Sequence, residues 1–246
     1  MGWFPHFCGN MAVGVMGMGE RPAAKKGANG KRYDPERLFL PPDDDLAPNR
    51  PGETLRARLD ASRTGRAGLF FARLLGRRPV EDAWRRKLAA EQLVGAALDG
   101  LAAAGWEVVH SIELPGDAVI SHLLIGPGGV FCVLAEQTRR AAVRLDETDV
   151  RVTGDARPYP YVRKARQNAA RCSLVLTRGC GYPVRARPVL VLVGATEADV
   201  HAGPEDVSVL REEQLHELGT LGGILHPDRV DRIHTVARNR RAWLAA

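Results

Sequence analysis

The stretch Ile120-Ser121-His122-Leu123-Leu124-Ile125-Gly126-Pro127-Gly128-Gly129-Val130-Phe131 holds two apolar runs joined by a tight turn, and it decides how the chain folds. Residues Ala118–Ile125 alternate as a strand does, with Val119, Ser121 and Leu123 on one face and Ile120, His122 and Leu124 on the other. In Gly126–Gly129, proline presets one backbone angle and glycine tolerates the angles other residues avoid. That proline and the short spacing do not suit a phosphate-binding loop. The next strand covers Val130–Ala135, so Cys132, Leu134 and Glu136 share a face. Upstream, Trp106–Ile112 is a third strand, set off by Leu114-Pro115-Gly116. Before it, apolar residues at 84, 88, 94, 98 and 101 form a helical stripe that Gly105 ends.

Downstream, Ala142–Leu145 and Asp149–Thr153 read as a hairpin and Tyr161–Thr177 as a helix. Pro188–Gly194 is continuously apolar and reads as a strand buried on both faces. Val207–Leu210 is a short strand, and Glu212–Leu221 and Pro227–Leu244 are closing helices. A helix, a meander, a helix and further strands predict an α/β domain with a central mixed sheet flanked by helices.

Three segments follow from composition. Residues 1–53 are rich in Gly and Pro, carry the run Asp43-Asp44-Asp45, and read as a disordered basic segment. Residues 54–80 read as an amphipathic helical linker of one or two short helices interrupted by Gly65 and Gly68. It is suited to docking on the domain or touching an anionic surface. Residues 81–246 form the regular domain. The net charge of +6 comes wholly from the front: residues 1–80 hold 14 basic and 8 acidic side chains, residues 81–246 hold 21 of each. Charge therefore gives no nucleic-acid signature to the domain as a whole, and a basic, solubilising tail accounts for the excess. No apolar run approaches membrane-spanning length, and the glycine-rich Met11–Met18 lacks the basic flank of a signal peptide. Cys8, Cys132, Cys172 and Cys180 are too widely spaced for a zinc site or disulfide framework. They read as reduced thiols, which implies a cytoplasmic setting. His6, His110, His201, His216, His226 and His234 show no ligand spacing.

Glu91 stands inside the apolar stripe, three residues after Leu88 and three before Val94. A buried carboxylate is costly unless paired or metal-bound. Together with Trp84–Val94 and Gly105–Val109, the string Ile120–Phe131 resembles the nuclease-related domain (NERD) family, over roughly Trp84 to Gly194. That family is similar to restriction-endonuclease-like nucleases, with a helical Glu, an Asp-His pair on one strand and an acidic-x-Lys element on the next. The resemblance implies carboxylates holding Mg²⁺, which activates water, while the lysine orients that water and balances charge.

Carried over by position, Glu91 is the helical Glu and His122 the paired His. Ser121 stands at the Asp, Leu134 at the second acid and Glu136 at the Lys. Serine is a poor Mg²⁺ ligand and leucine none, so the expectation is no metal, no cofactor and no cleavage. What remains is a nucleic-acid-associated or scaffolding domain whose protein partner the sequence does not name. For the helix at Tyr161 the resemblance implies a DNA-facing set of Arg163, Lys164, Arg166, Gln167 and Arg171, against the plainer and favoured reading of a solvated charged face. Two alternatives stay open. One is a divergent Mg²⁺-dependent nuclease rebuilt from Glu91, Asp117, Glu136 and Lys164, although Asp117 lies four residues, about 13 Å of extended strand, from Ser121. The other is a protein-interaction module using the 54–78 helices.

Overall fold

The computed structural model describes residues 40–61, 80–199 and 204–244. The meander is present: β1 (Glu107–Glu113), β2 (Val119–Gly126) and β3 (Gly129–Gln137) pair antiparallel in that order. The strand β6 (Ala186–Val193) joins β3 in parallel, and β8 (Ser208–Arg211) joins β6 in parallel, which completes a five-stranded mixed sheet. The hairpin β4 (Val143–Leu145) and β5 (Val150–Val152) lies in a separate three-stranded sheet with β7 (Ala198–Asp199). The turn Gly126–Gly129 closes the β2–β3 hairpin, with Gly129 at φ 118°, a conformation a side chain would strain.

Helices cover both faces of the large sheet. Along α2 (Val80–Asp99), Ala90, Val94 and Leu98 pack with Trp106, Leu124, Phe131, Val133, Val189 and Val191. On the other side, α3 (Tyr161–Cys180) and α5 (Pro227–Ala237) pack Cys172, Val175, Leu176, Val230 and Ile233 against Leu123, Ile125 and Cys132. Each large aliphatic side chain removed from water contributes about 1.5–3 kcal/mol, which makes this core the main source of stability.

The ends of several elements differ from the sequence reading. The predicted helix through Ala104 tightens to a 3-10 turn at Gly100–Ala104 before Gly105 closes it at φ 81°. Glu212–Leu221 is a 3-10 turn (Glu212–Gln214) followed by the single-turn α4 (His216–Gly219). Past Ala237 the closing helix stops, because Asn239 is extended and its side chain caps a separate turn, Arg240–Trp243.

Residues 40–52 correct the expectation of a disordered segment reaching residue 53. Leu46 is buried in the core, and its amide bonds the Arg238 carbonyl at 2.8 Å. The acidic run is not a solvated tract: Asp45 pairs with Arg238, and Asp44 pairs with Arg241 at 2.8 Å. These partners lie almost two hundred residues away in sequence, so no local pattern could signal them. Pro51 sits so close to α2 that a β-carbon at Gly95 would collide with it. Then α1 (Glu53–Ala61) begins, its first amide bonded to the Ser111 hydroxyl at 3.0 Å. Residues 1–39 and most of the predicted linker, 62–79, lie outside the described residues. No helix among those described is long and apolar enough to cross a membrane. Cys132, Cys172 and Cys180 are buried free thiols.

Candidate functional site

The site forms where α2, β2, β3 and α3 converge. Glu91 is only 3% exposed and accepts a hydrogen bond from the Ser121 hydroxyl at 3.0 Å. Burial pushes its carboxyl above the usual range, and nearby Lys87 and the Ser121 bond pull it partly back. The alternation expected through β2 breaks here. Ile120 packs in the same cluster as Leu123 and Ile125, while Ser121 reaches Glu91. Facing it on β1, Ser111 holds a left-handed φ of 50°, a costly conformation for a residue with a side chain. The two serines are also missing from the regular pairing, which runs His110↔His122 and then Ile112↔Ile120.

On β3, Leu134 is fully buried and packs with Val162 and Ala165 of α3 and Leu190 of β6. Two residues on, one oxygen of Glu136 accepts from both Lys87 and Lys164, each at 3.0 Å. Lys87 lies one helical turn before Glu91, so α2 directs both side chains to one place. Burial draws the Lys87 ammonium down, but Glu136 and then Glu91 more than offset this and leave it above the ordinary lysine value. Lys164 is left below that value: burial lowers it, Glu136 raises it, and the competing charge of Lys87 lowers it again. The two lysines share one carboxylate, and Lys87 has the second carboxylate to draw on.

Behind this cluster runs a histidine chain. The Nδ1 atoms of His110 and His122 are 2.8 Å apart, and His110 Nε2 lies 3.0 Å from Asp99 Oδ1. The consistent tautomers have His110 donating to Asp99 and His122 donating to His110, which leaves the buried His122 Nε2 as an acceptor with no partner among the described residues. Burial, and second the proximity of His110, hold His122 well below the usual imidazole range. The unfolded chain binds this proton below about pH 6.5 and the folded one does not, so stability falls as pH drops through that value. The slope approaches about 1.4 kcal/mol per pH unit. Glu91, raised in the fold, acts in the opposite sense as pH falls toward its unfolded value. The wild type should therefore lose about 1 kcal/mol in denaturant titrations between pH 6.5 and 5.5. His122→Asn should lose clearly less, and equal losses would refute this account of His122.

A cleft of about 330 Å³ opens beside the cluster between α1, α2, β2 and α3, lined by Arg58, Lys87, Glu91, Asp117, Ser121, Lys164, Gln167 and Arg171. It divides the predicted nucleic-acid set. Lys164, Gln167 and Arg171 face the cleft. Arg166 is instead clamped on Asp206 through two nitrogens, at 2.8 and 2.6 Å, and bonds Glu147 at 2.6 Å. Arg163 pairs with Asp149 at 3.0 Å. Asp117 is exposed, at φ 60°, and its carbonyl accepts from Arg58 at 3.2 Å. Lys87 and Arg58 were missed in the sequence. Lys87 could have been found as the residue one turn before Glu91, whereas Arg58 left no signal. Among the described residues no group of three or more His, Cys, Asp or Glu side chains is placed to hold a metal ion.

No curated protein and no solved structure matches the chain. With helices on both faces of its mixed five-stranded sheet, the α/β core is restriction-endonuclease-like. Residues 86–193 match the family model described as nuclease-related domain (NERD), and that span is what the chain shares with the family.

Proposed function

We propose that this nuclease-related domain binds nucleic acid through the basic cleft beside Glu91 and does not cleave it. Glu136 carries the reading: at the position where the family places a lysine, a carboxylate accepts from two ammoniums drawn from neighbouring helices. Mg²⁺, which the family implies, would meet one carboxylate bonded to a serine, a leucine packed in the core, and a carboxylate already neutralised by lysines. Mg²⁺ requires hard oxygen donors in near-octahedral array, and this donor set does not fit it. The cations that would have balanced phosphate charge through a metal are instead covalently part of the chain. Lys164 and Arg171, with Arg58, suit the phosphate backbone, whose contacts are electrostatic and independent of sequence.

The test is binding and cleavage of supercoiled and linear DNA with Mg²⁺ or Mn²⁺, beside a Glu91→Ala control. Intact DNA is expected, together with salt-sensitive binding. Lys164→Ala and Arg171→Ala should each weaken affinity several-fold and lower the salt slope by about one. Arg163→Ala and Arg166→Ala should leave it unchanged, because neither side chain lines the cleft. Absence of binding would leave scaffolding as the role. A second reading, a rebuilt Mg²⁺-dependent nuclease, draws on Asp117 lining the same cleft as Glu91 and Lys164. Cleavage that disappears in the Glu91→Ala control would replace the lead reading with this one.

A further inference from the structure

A second cleft, of about 250 Å³, shares Lys87 with the first and is otherwise lined differently. Trp84, Tyr159 and Tyr161 form its aromatic wall; Arg86, Lys87 and Arg139 bring positive charge, with Glu136 and Asp155 paired to Lys87 and Arg139. Three aromatic side chains in one cleft are unusual in a chain with only 6% aromatic residues. Tyr159 and Tyr161 stack at 4.9 Å between ring centres, 9° from parallel, and the Tyr159 hydroxyl donates to Asp155 at 2.9 Å. Trp84 is half-buried and packs in none of the three core clusters. A large ring fixed on the first turns of α2, turned into a cleft rather than into the core, is placed to contact a ligand. The cleft is smaller than sites that enclose a drug-sized molecule, which suits one flat ring system.

We propose that this cleft holds an unpaired nucleobase, so that the domain recognises single-stranded nucleic acid or a frayed end in preference to intact duplex. The proposal rests on the nucleic-acid reading of the first cleft. Both clefts share Lys87, so a strand with one base against Trp84 passes its sugar-phosphate backbone over Lys87 toward Lys164 and Arg171. Aromatic faces take any base by stacking, arginines add their planar cations, and a base locked in a duplex is not free to enter.

The experiment is fluorescence anisotropy of the full chain with a labelled oligothymidylate and with a duplex of the same length, in matched salt. Oligothymidylate is expected to bind more tightly. Trp84→Ala should weaken it at least about fivefold, the loss of one stacked base, and should leave duplex affinity and melting temperature unchanged. Trp84→Phe, which keeps an aromatic face, should retain most of the single-strand affinity. Duplex bound as tightly as the single strand, with Trp84→Ala inert, overturns this inference and leaves the first cleft's reading intact. Failure to bind either nucleic acid overturns both.

Discussion

Replacing Glu136 by lysine, the residue that the family resemblance implies there, is expected to damage this protein more than any other single change at the centre. In the wild type, one nearly buried carboxylate holds Lys87 and Lys164 at 3.0 Å each. Substitution puts three ammoniums in that space. Leaving a buried charge without its partner costs about 3–5 kcal/mol. Side chains exposed by 27% for Lys87 and 39% for Lys164 allow partial escape to water, so about 2–4 kcal/mol is the reasonable range. For a chain of this size that is a fall of roughly 5–15 °C in melting temperature. Glu136→Gln keeps the shape but loses the charge and should cost less. Replacing Lys87, Glu136 and Lys164 together by methionine should be near neutral, because desolvating an ion cluster offsets most of its attraction. A Glu136→Lys melting temperature within about 2 °C of wild type, under about 1 kcal/mol, would show that the cluster holds nothing together.

How much of this was visible in sequence depends on the range of each interaction. The strands β1 to β3 and the helices α2 and α3 were legible because alternation and the 3.6-residue period are local patterns that burial imposes directly. Leu134 and Glu136 could be placed on one face of β3, since a strand fixes which residues face which way. Their partners could not. Lys87 reaches Glu136 across 49 residues of sequence and Asp45 reaches Arg238 across 193, and ion pairs leave no periodicity. The division of α3 was hidden for the same reason: Arg163 and Arg166 look identical in sequence to Lys164 and Arg171 until Asp149 and Asp206 are placed beside them. The break at Ser121 was hidden because it depends on the left-handed Ser111 of the neighbouring strand.

Placing at position 121 the aspartate that the resemblance implies, as Ser121→Asp, tests the donor set from the opposite direction. The Ser121 hydroxyl lies 3.0 Å from a Glu91 oxygen, so the new carboxylate meets one already pushed up by burial. Two carboxylates at that distance cannot both ionise and must share a proton. Their folded values are raised, so the penalty is absent below pH 4, where both states are protonated, and grows as pH rises through the unfolded values. At neutral pH the variant should lose about 1–3 kcal/mol relative to wild type, and regain it on acidification. Mg²⁺ or Mn²⁺ supplies the missing positive charge between the two acids. It should therefore raise the variant's melting temperature by several degrees while leaving the wild type unmoved. Cleavage is not expected even then, because Leu134 remains in the core and Glu136 remains claimed by two lysines. A wild type that is itself stabilised by metal would mean that Glu91 finds its second ligand elsewhere. Asp117, across the cleft, is the residue to replace next.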